Sequence, residues 1–513
     1  MKGMEKMKKS HIWLIRIGFM LICSSYIYSR AVQKTDYTFP GINVGMIVLI
    51  LLLAAIGGFC LIGYIAKRQW PLEKVFLFFG AYVCILYFAS LPVFRAPDEI
   101  NHYMRAFEIS EGNLISQHMG DTGVGGNYLP QELIPTELCD ARQIDYYKVW
   151  ANKDVEMSED QRIEYTYGNT ALYAPVAYLP QALGIAIGKF FTQKSVYLVY
   201  WGRTFSFLVC FGLLYFSIKN MINKKMMVFL SCFMPMLMSQ IVSLSADALT
   251  LSVAFALWSY VLKVSLDENI KKINLKSKIW IFSLTIVLSL CKIVYLPLCL
   301  VILLLDGEKF KTRRESLVYK LGSILSVAIL NLFWLSISSG FLVEFNVGVN
   351  SAEQVKYVLT HPISYMNSCL YTLLMKGQGW MEEMVGSKLG WAMDVQTPRL
   401  IIVMMLALFI FSAFVNDKNE QCRLVDVRKK YFAGVCLLIT VALIFTSLYV
   451  QWTPVAEFVI DGIQGRYFIP LIPAAAVLFM GNNRSRQYPG EHIYQMIFLV
   501  NMIAVTEQVF FYL

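Results

Sequence analysis

This sequence lacks metal-ligand spacing. Its 11 cysteines include no Cys-x-x-Cys pair, and its five histidines form no ligand-spaced set, so neither a structural zinc site nor any other metal is assigned. Cys23, Cys60, Cys84, Cys210, Cys232, Cys291, Cys299 and Cys436 fall inside apolar runs, where a thiol acts as a small hydrophobe. Cys139 and Cys369 fall in loops, and nothing in the sequence pairs them. No P-loop or G-x-G-x-x-G is present outside the apolar runs, which removes the usual nucleotide cradles. There is no basic–aromatic stripe either, so the net charge of +10 does not indicate nucleic acid. No internal repeat stands out, and the inverted symmetry of many transporters gets no support. The first apolar run, Ile12 to Ser29, contains Arg16 and has no small-residue cleavage site, so it reads as a retained span.

Apolar sequence is what the chain has in excess. It is 57% hydrophobic with a mean hydropathy of +0.54, and many runs are long enough to cross about 30 Å of hydrocarbon. Lys and Arg in short loops set the orientation. Lys6, Lys8 and Lys9 place the N-terminus inside, and Lys67, Arg68 and Lys74 mark an inner loop. Leu172–Phe190 decides the rest. If it crossed, Lys219, Lys224 and Lys225, the Lys271–Lys278 cluster and Lys309 to Arg314 would all be inverted, so it is read as lying on or re-entering the outer surface. The expected fold is therefore an all-α integral membrane protein with about 13 transmembrane helices. Met226–Leu244 and the two short segments flanking Lys292 count among them. N-terminal spans fill 1–94, an outer loop 95–195, central spans 196–339, a second outer loop 340–398 and C-terminal spans 399–513. An interfacial helix is expected over Ser351 to Met375.

The outer loop begins with Pro97-Asp98-Glu99. At 100° per residue, Ile100, Tyr103, Met104 and Phe107 share one helix side, while Asp98, Asn101, His102 and Arg105 share the other. A helix of this kind at a membrane boundary lies flat and turns its polar row to water. Structurally, Pro and two acids simply suit a helix start. Functionally, a carboxylate there can serve as a general base at the lipid interface, with His102 and Arg105 orienting it or helping it bind a divalent cation.

A second constellation is IDGIQGRYFIPLIP, Ile460 to Pro473. Arg466 stands on the side that positive-inside counting disfavours, and its fork matches phosphate. It reads either as a phosphate contact or as a snorkelling anchor. Gly462 and Gly465 leave backbone room for a ligand. Arg203, Asp247 and Lys292 lie within apolar runs, where charge is costly, and either face a cavity or neutralise one another. Trp380, Glu382, Glu383 and Trp391 suit a sugar site or, equally, an interfacial belt.

These motifs together, APDE-xx-H-xx-RA, SADALTL, KIVYLP and QGRYFIPLIP in that order, resemble an uncharacterised bacterial family of polytopic membrane proteins grouped with the GT-C glycosyltransferases. The resemblance runs from about Val75 to Phe479. It implies juxtamembrane helices in the first outer loop and a polyprenyl-phosphate-linked sugar as donor, with a cell-envelope polysaccharide or lipid-linked saccharide as acceptor. It implies Asp98 as catalytic base with Glu99 as its neighbour. Arg466 would contact the lipid phosphate, and Gln464, His102, Arg105, Arg203 and Lys292 would help bind substrate. The expected place is the plasma membrane, and membrane lipid is an expected partner. The other function class is a transporter or flippase for an envelope lipid or saccharide, using the same buried charges as a path.

Overall fold

Hydrocarbon offers no water to backbone N–H and C=O groups, so a chain this apolar must bond them within helices. The computed structural model describes residues 2–34, 38–39, 42–120, 123–341, 346–415, 425–481 and 490–513, and the protein is 72% helical. Among the described residues, seven helices are long and apolar enough to cross a membrane: Val44–Arg68, Leu72–Ser90, Ser195–Asn220, Ala246–Leu266, Arg313–Phe341, Val427–Gln451 and Gly490–Phe511. Shorter apolar helical stretches cover Pro175–Gly188, Ile293–Leu304, Arg399–Phe414 and Gly465–Leu478. The expected first span falls within a helix over Lys2–Val32.

The Ala246–Leu266 and Gly490–Phe511 helices form the centre, and Arg313–Phe341 lies at the rim with its apolar side chains exposed. Several central polar groups pair with one another. Asn501 donates to the Phe233 carbonyl and accepts from Tyr87, and Gln508 accepts from Ser90. Such pairs cost little where water is absent, while unpaired groups would be expensive.

Three expectations need correction, and the first is that the fold is all-α. Gln117–Met119, Val124–Gln131 and Ser158–Thr166 form an antiparallel three-stranded sheet in the first large loop. The run Met226–Leu244 is not one helix but two, Lys225–Cys232 and Pro235–Ile241, because Pro235 cannot donate to the preceding turn and starts a new one. The helix expected over Ser351 to Met375 divides at His361 into Ser351–Thr360 and Pro362–Val385 for the same reason. Cys139 and Cys369 are both free thiols.

Basic loops gather at one end of the Ala246–Leu266 helix. Lys225 meets Glu73, Lys263 donates to Asn220, Lys309 donates to the carbonyls of Val264 and Asp267, and Lys429 meets Asp306. Asp247, in the first turn of that helix, marks the other end, about 30 Å away at 1.5 Å per residue. Both ends of the 172–190 stretch stand on the Asp247 side. Asn169 shares a cavity with Asp247, and Ser195 bonds Leu133 and Tyr103 in the first large loop.

Candidate functional site

The site is assembled at the places where helices break. Leu91–Asp98 leaves the Leu72–Ser90 helix without regular structure, and a new helix begins at Glu99. Asp98 occupies the N-cap position with φ of 57°, a left-handed conformation that Asp tolerates better than most residues. Its side chain caps nothing. The plain helix-start reading thus accounts for the position and not for the carboxylate, which is 46% exposed.

Glu99 has the opposite environment. Its carboxylate is fully buried, and Arg203 grips it through Nε at 2.8 Å and Nη2 at 2.6 Å. The Leu244 N–H adds 3.0 Å. Arg203 also donates to the Leu91 and Pro92 carbonyls at 2.7 and 2.8 Å. One buried fork therefore ties the loop before Asp98 to the Ser195–Asn220 helix and to the turn before Asp247. Neither Glu99 nor Arg203 is among the residues lining the cavity; Arg203 is engaged with Glu99 and the Leu91 and Pro92 carbonyls.

The polar row of the Glu99–Ser110 helix faces water only in part, although its periodicity suggested a solvated face. Arg105 is wholly buried against Glu108 and the Leu114 carbonyl, and Glu108 also accepts from Ser116 and Asn127 at 2.9 Å each. The Arg105 end of the row is turned inward beside the sheet, which helical periodicity cannot distinguish from solvent. Arg105 does not line the cavity. His102 does line the cavity, with Nδ1 2.7 Å from the Tyr178 hydroxyl. Burial lowers its pKa below 6.5 against the opposing pull of the nearby carboxylates, Asp98 first.

Lys292 sits at the second break. Its extended backbone separates the Leu275–Cys291 helix from the turn at Ile293–Tyr295, and Pro297 then prevents a regular continuation. The third break is the 3-10 turn Gly465–Leu471, which contains Pro470 and carries Arg466. The space beside Gly465 serves packing rather than a ligand, because a Cβ there would stand 2.3 Å from the Trp380 carbonyl. Gly462 has φ of +80° and abuts the Trp452 ring.

These three breaks converge on a cavity of about 320 Å³ lined by Asp98, His102, Asp247, Lys292, Gln464 and Arg466. Asp247 bridges its two cations, with Oδ1 3.3 Å from Lys292 Nζ and Oδ2 3.1 Å from Arg466 Nε. Arg466 Nη2 lies 3.8 Å from Asp98. Lys292 Nζ stands 4.2 Å from the Tyr467 ring centre, a cation–π distance. Arg466 Nη1 and Gln464 Oε1 are buried without any hydrogen-bond partner. The expected network of Arg203, Asp247 and Lys292 is thus split: Arg203 belongs to Glu99, and Arg466 takes its place beside Asp247. Among the described residues, no three His, Cys, Asp or Glu side chains are grouped to hold a metal ion. His102 and Arg105 do not join Asp98 in the way a cation site there would need.

Tyr173, Asn169, Asn331, Trp334, Gln451, Trp452 and Tyr467 also line the cavity and were not singled out in the sequence. Only Tyr467 carried a signal, its place next to Arg466. Trp380, by contrast, is buried against Phe445 and Phe468, while Glu382 pairs with Arg399 and Glu383 with Lys388. Trp380 and Glu383 back Gly465, whose N–H donates to Glu383 at 3.3 Å, and neither they nor Glu382 and Trp391 line the cavity.

Residues 77–475 match the family described as "Predicted membrane protein (DUF2142)". No curated protein and no solved structure matches the chain.

Proposed function

This chain belongs to the DUF2142 family of predicted membrane proteins, and from that membership and the cavity's geometry we propose that it is a membrane glycosyltransferase of GT-C type. In this reading, about 13 crossings and a set of juxtamembrane helices hold the cavity at the outer face of the plasma membrane, with the N-terminus cytoplasmic. The donor is a polyprenyl-phosphate sugar, and the acceptor is a cell-envelope glycan or lipid-linked saccharide. Asp98 takes the proton of an acceptor hydroxyl, and that oxygen bonds to the anomeric carbon as the bond to the phosphate oxygen breaks. Polyprenyl phosphate leaves as the anion, and Arg466 and Lys292 balance its charge.

One observation carries the proposal. Asp98 stands where a helix cap would, caps nothing, and shares a cavity with a buried arginine that has a free N–H. A base and an unsatisfied anion-binding group within one cavity suit displacement of a phosphate leaving group.

The test supplies purified protein with a polyprenyl-phosphate sugar and envelope acceptors and compares native protein with Asp98→Asn. Loss of transfer in the variant supports the role of Asp98, and equal transfer removes it. A native protein that transfers no sugar from any donor but moves the lipid between leaflets is a transporter instead.

A further inference from the structure

Asp247 has an unusual position for a residue of an anion-binding cavity. It lies against both cations, using one carboxylate oxygen for Lys292 and the other for Arg466. All three side chains are largely buried and line the same space. Together with Asp98, the four charged groups sum to zero with no ligand present. Arg466 Nε and Nη1 both lack a hydrogen bond, the first meeting Asp247 as an ion pair alone, so the carboxylate neutralises the cations without exhausting their donors. A guanidinium has five N–H groups and an ammonium three, more than one carboxylate can accept from.

We propose that Asp247 is the cavity's internal counter-ion, a carboxylate that an incoming phosphate must displace from Lys292 and Arg466. This inference rests on the reading of the cavity as an anion site. It gives Asp247 a role in affinity that is neither catalytic nor merely structural. Competition of this kind weakens binding of the phosphate and returns the cations to a partner once it leaves. A monoester produced in the cavity would otherwise face two unpaired buried cations, and its release would be slow. The neighbouring segments hold Asp247 in place: Ser245 accepts from the Asp247 N–H at 3.1 Å, and Gln181 donates to the Ser245 carbonyl at 3.1 Å.

The proposal has a direction opposite to that of a structural residue. Farnesyl phosphate is titrated into detergent-solubilised protein by calorimetry, with farnesol and inorganic phosphate as separate arms for the apolar chain and the free anion. Removing a charge a few ångströms from the phosphate is expected to tighten farnesyl phosphate binding about tenfold or more in Asp247→Asn. An unchanged or weakened Kd in the folded variant overturns the proposal while leaving the anion reading intact. Binding of neither farnesyl phosphate nor inorganic phosphate by native and variant proteins alike removes both.

Because Asp247→Asn leaves two cations buried without it, a charge-balanced pair gives a second measure. Lys292→Gln leaves Asp247 wholly to Arg466, and Lys292→Gln/Asp247→Asn frees that arginine. The double variant is expected to bind farnesyl phosphate more tightly than Lys292→Gln alone, and equal or weaker binding contradicts the counter-ion role.

Discussion

Glu99 and Arg203 meet edge to edge with no solvent on either side, at 2.6 and 2.8 Å. The neighbouring Asp98 is half exposed. Two adjacent acids thus have separate tasks, one holding the loop and the other left open to the cavity.

That division predicts different outcomes for the two residues. Glu99→Gln or Arg203→Met leaves a buried charge alone and should cost about 3–5 kcal/mol. Thermal unfolding in detergent measures this. Replacing both partners with apolar residues should recover much of the loss.

Asp98→Asn should leave the unfolding midpoint nearly unchanged, since Asn also tolerates φ above zero. On the proposed function, it should lower sugar transfer by about 10²-fold or more. Asp98→Val should destabilise the protein as well, because a β-branched residue fits that conformation poorly.

His102 introduces a pH dependence. Burial holds its folded pKa below 6.5, so the folded state prefers the neutral ring. Its contribution to stability is complete above about pH 6.5 and is lost as the pH falls toward the folded pKa. Unfolding midpoints measured from pH 7.5 to 5 should fall for native protein and fall less for His102→Gln. An equal slope in both would assign the effect elsewhere.

Gly465→Ala drives a methyl group into the Trp380 carbonyl and the Met384 N–H, at 2.3 and 2.4 Å before any shift. A loss of about 1–3 kcal/mol is expected. Because the next residue is Arg466, binding of farnesyl phosphate should weaken as well.

The threading can be checked by labelling single cysteines in a cysteine-free background. Asn113→Cys and Gln193→Cys, both at exposed positions, should react from the same side, and Asn269→Cys from the opposite side. Reaction of Asn113→Cys and Gln193→Cys from different sides would make 172–190 a crossing.

Much of the site was legible because charge within apolar sequence is costly wherever it falls. Asp247 and Lys292 stand out on that ground, Asp98 as an acid at the expected outer end of a span and Arg466 as a cation on the disfavoured side. The structure brings all four to one cavity. Their partners were not legible. Nothing in local sequence couples Arg203 to Glu99 or Arg466 to Asp247, since those pairings depend on which helices become neighbours. The Glu99–Ser110 helix shows a related limit. Its periodicity separates polar from apolar faces, but Arg105 and Glu108 face a protein wall instead of water. The small sheet was missed because Val124–Gln131 contains two glycines and a proline, which weaken any strand signal.

The Ala246–Leu266 helix, with Asp247 in its first turn and Lys263 in its last, has a consequence for the lipid. Its length makes it a depth gauge: it fixes the cavity about 30 Å from the basic end, close to one hydrocarbon thickness. In a bilayer several ångströms thicker, either the basic loops or the cavity would be drawn below the headgroups. Reconstitution across lipids of increasing acyl length should therefore give the tightest farnesyl phosphate binding at one thickness and weaker binding on both sides of it.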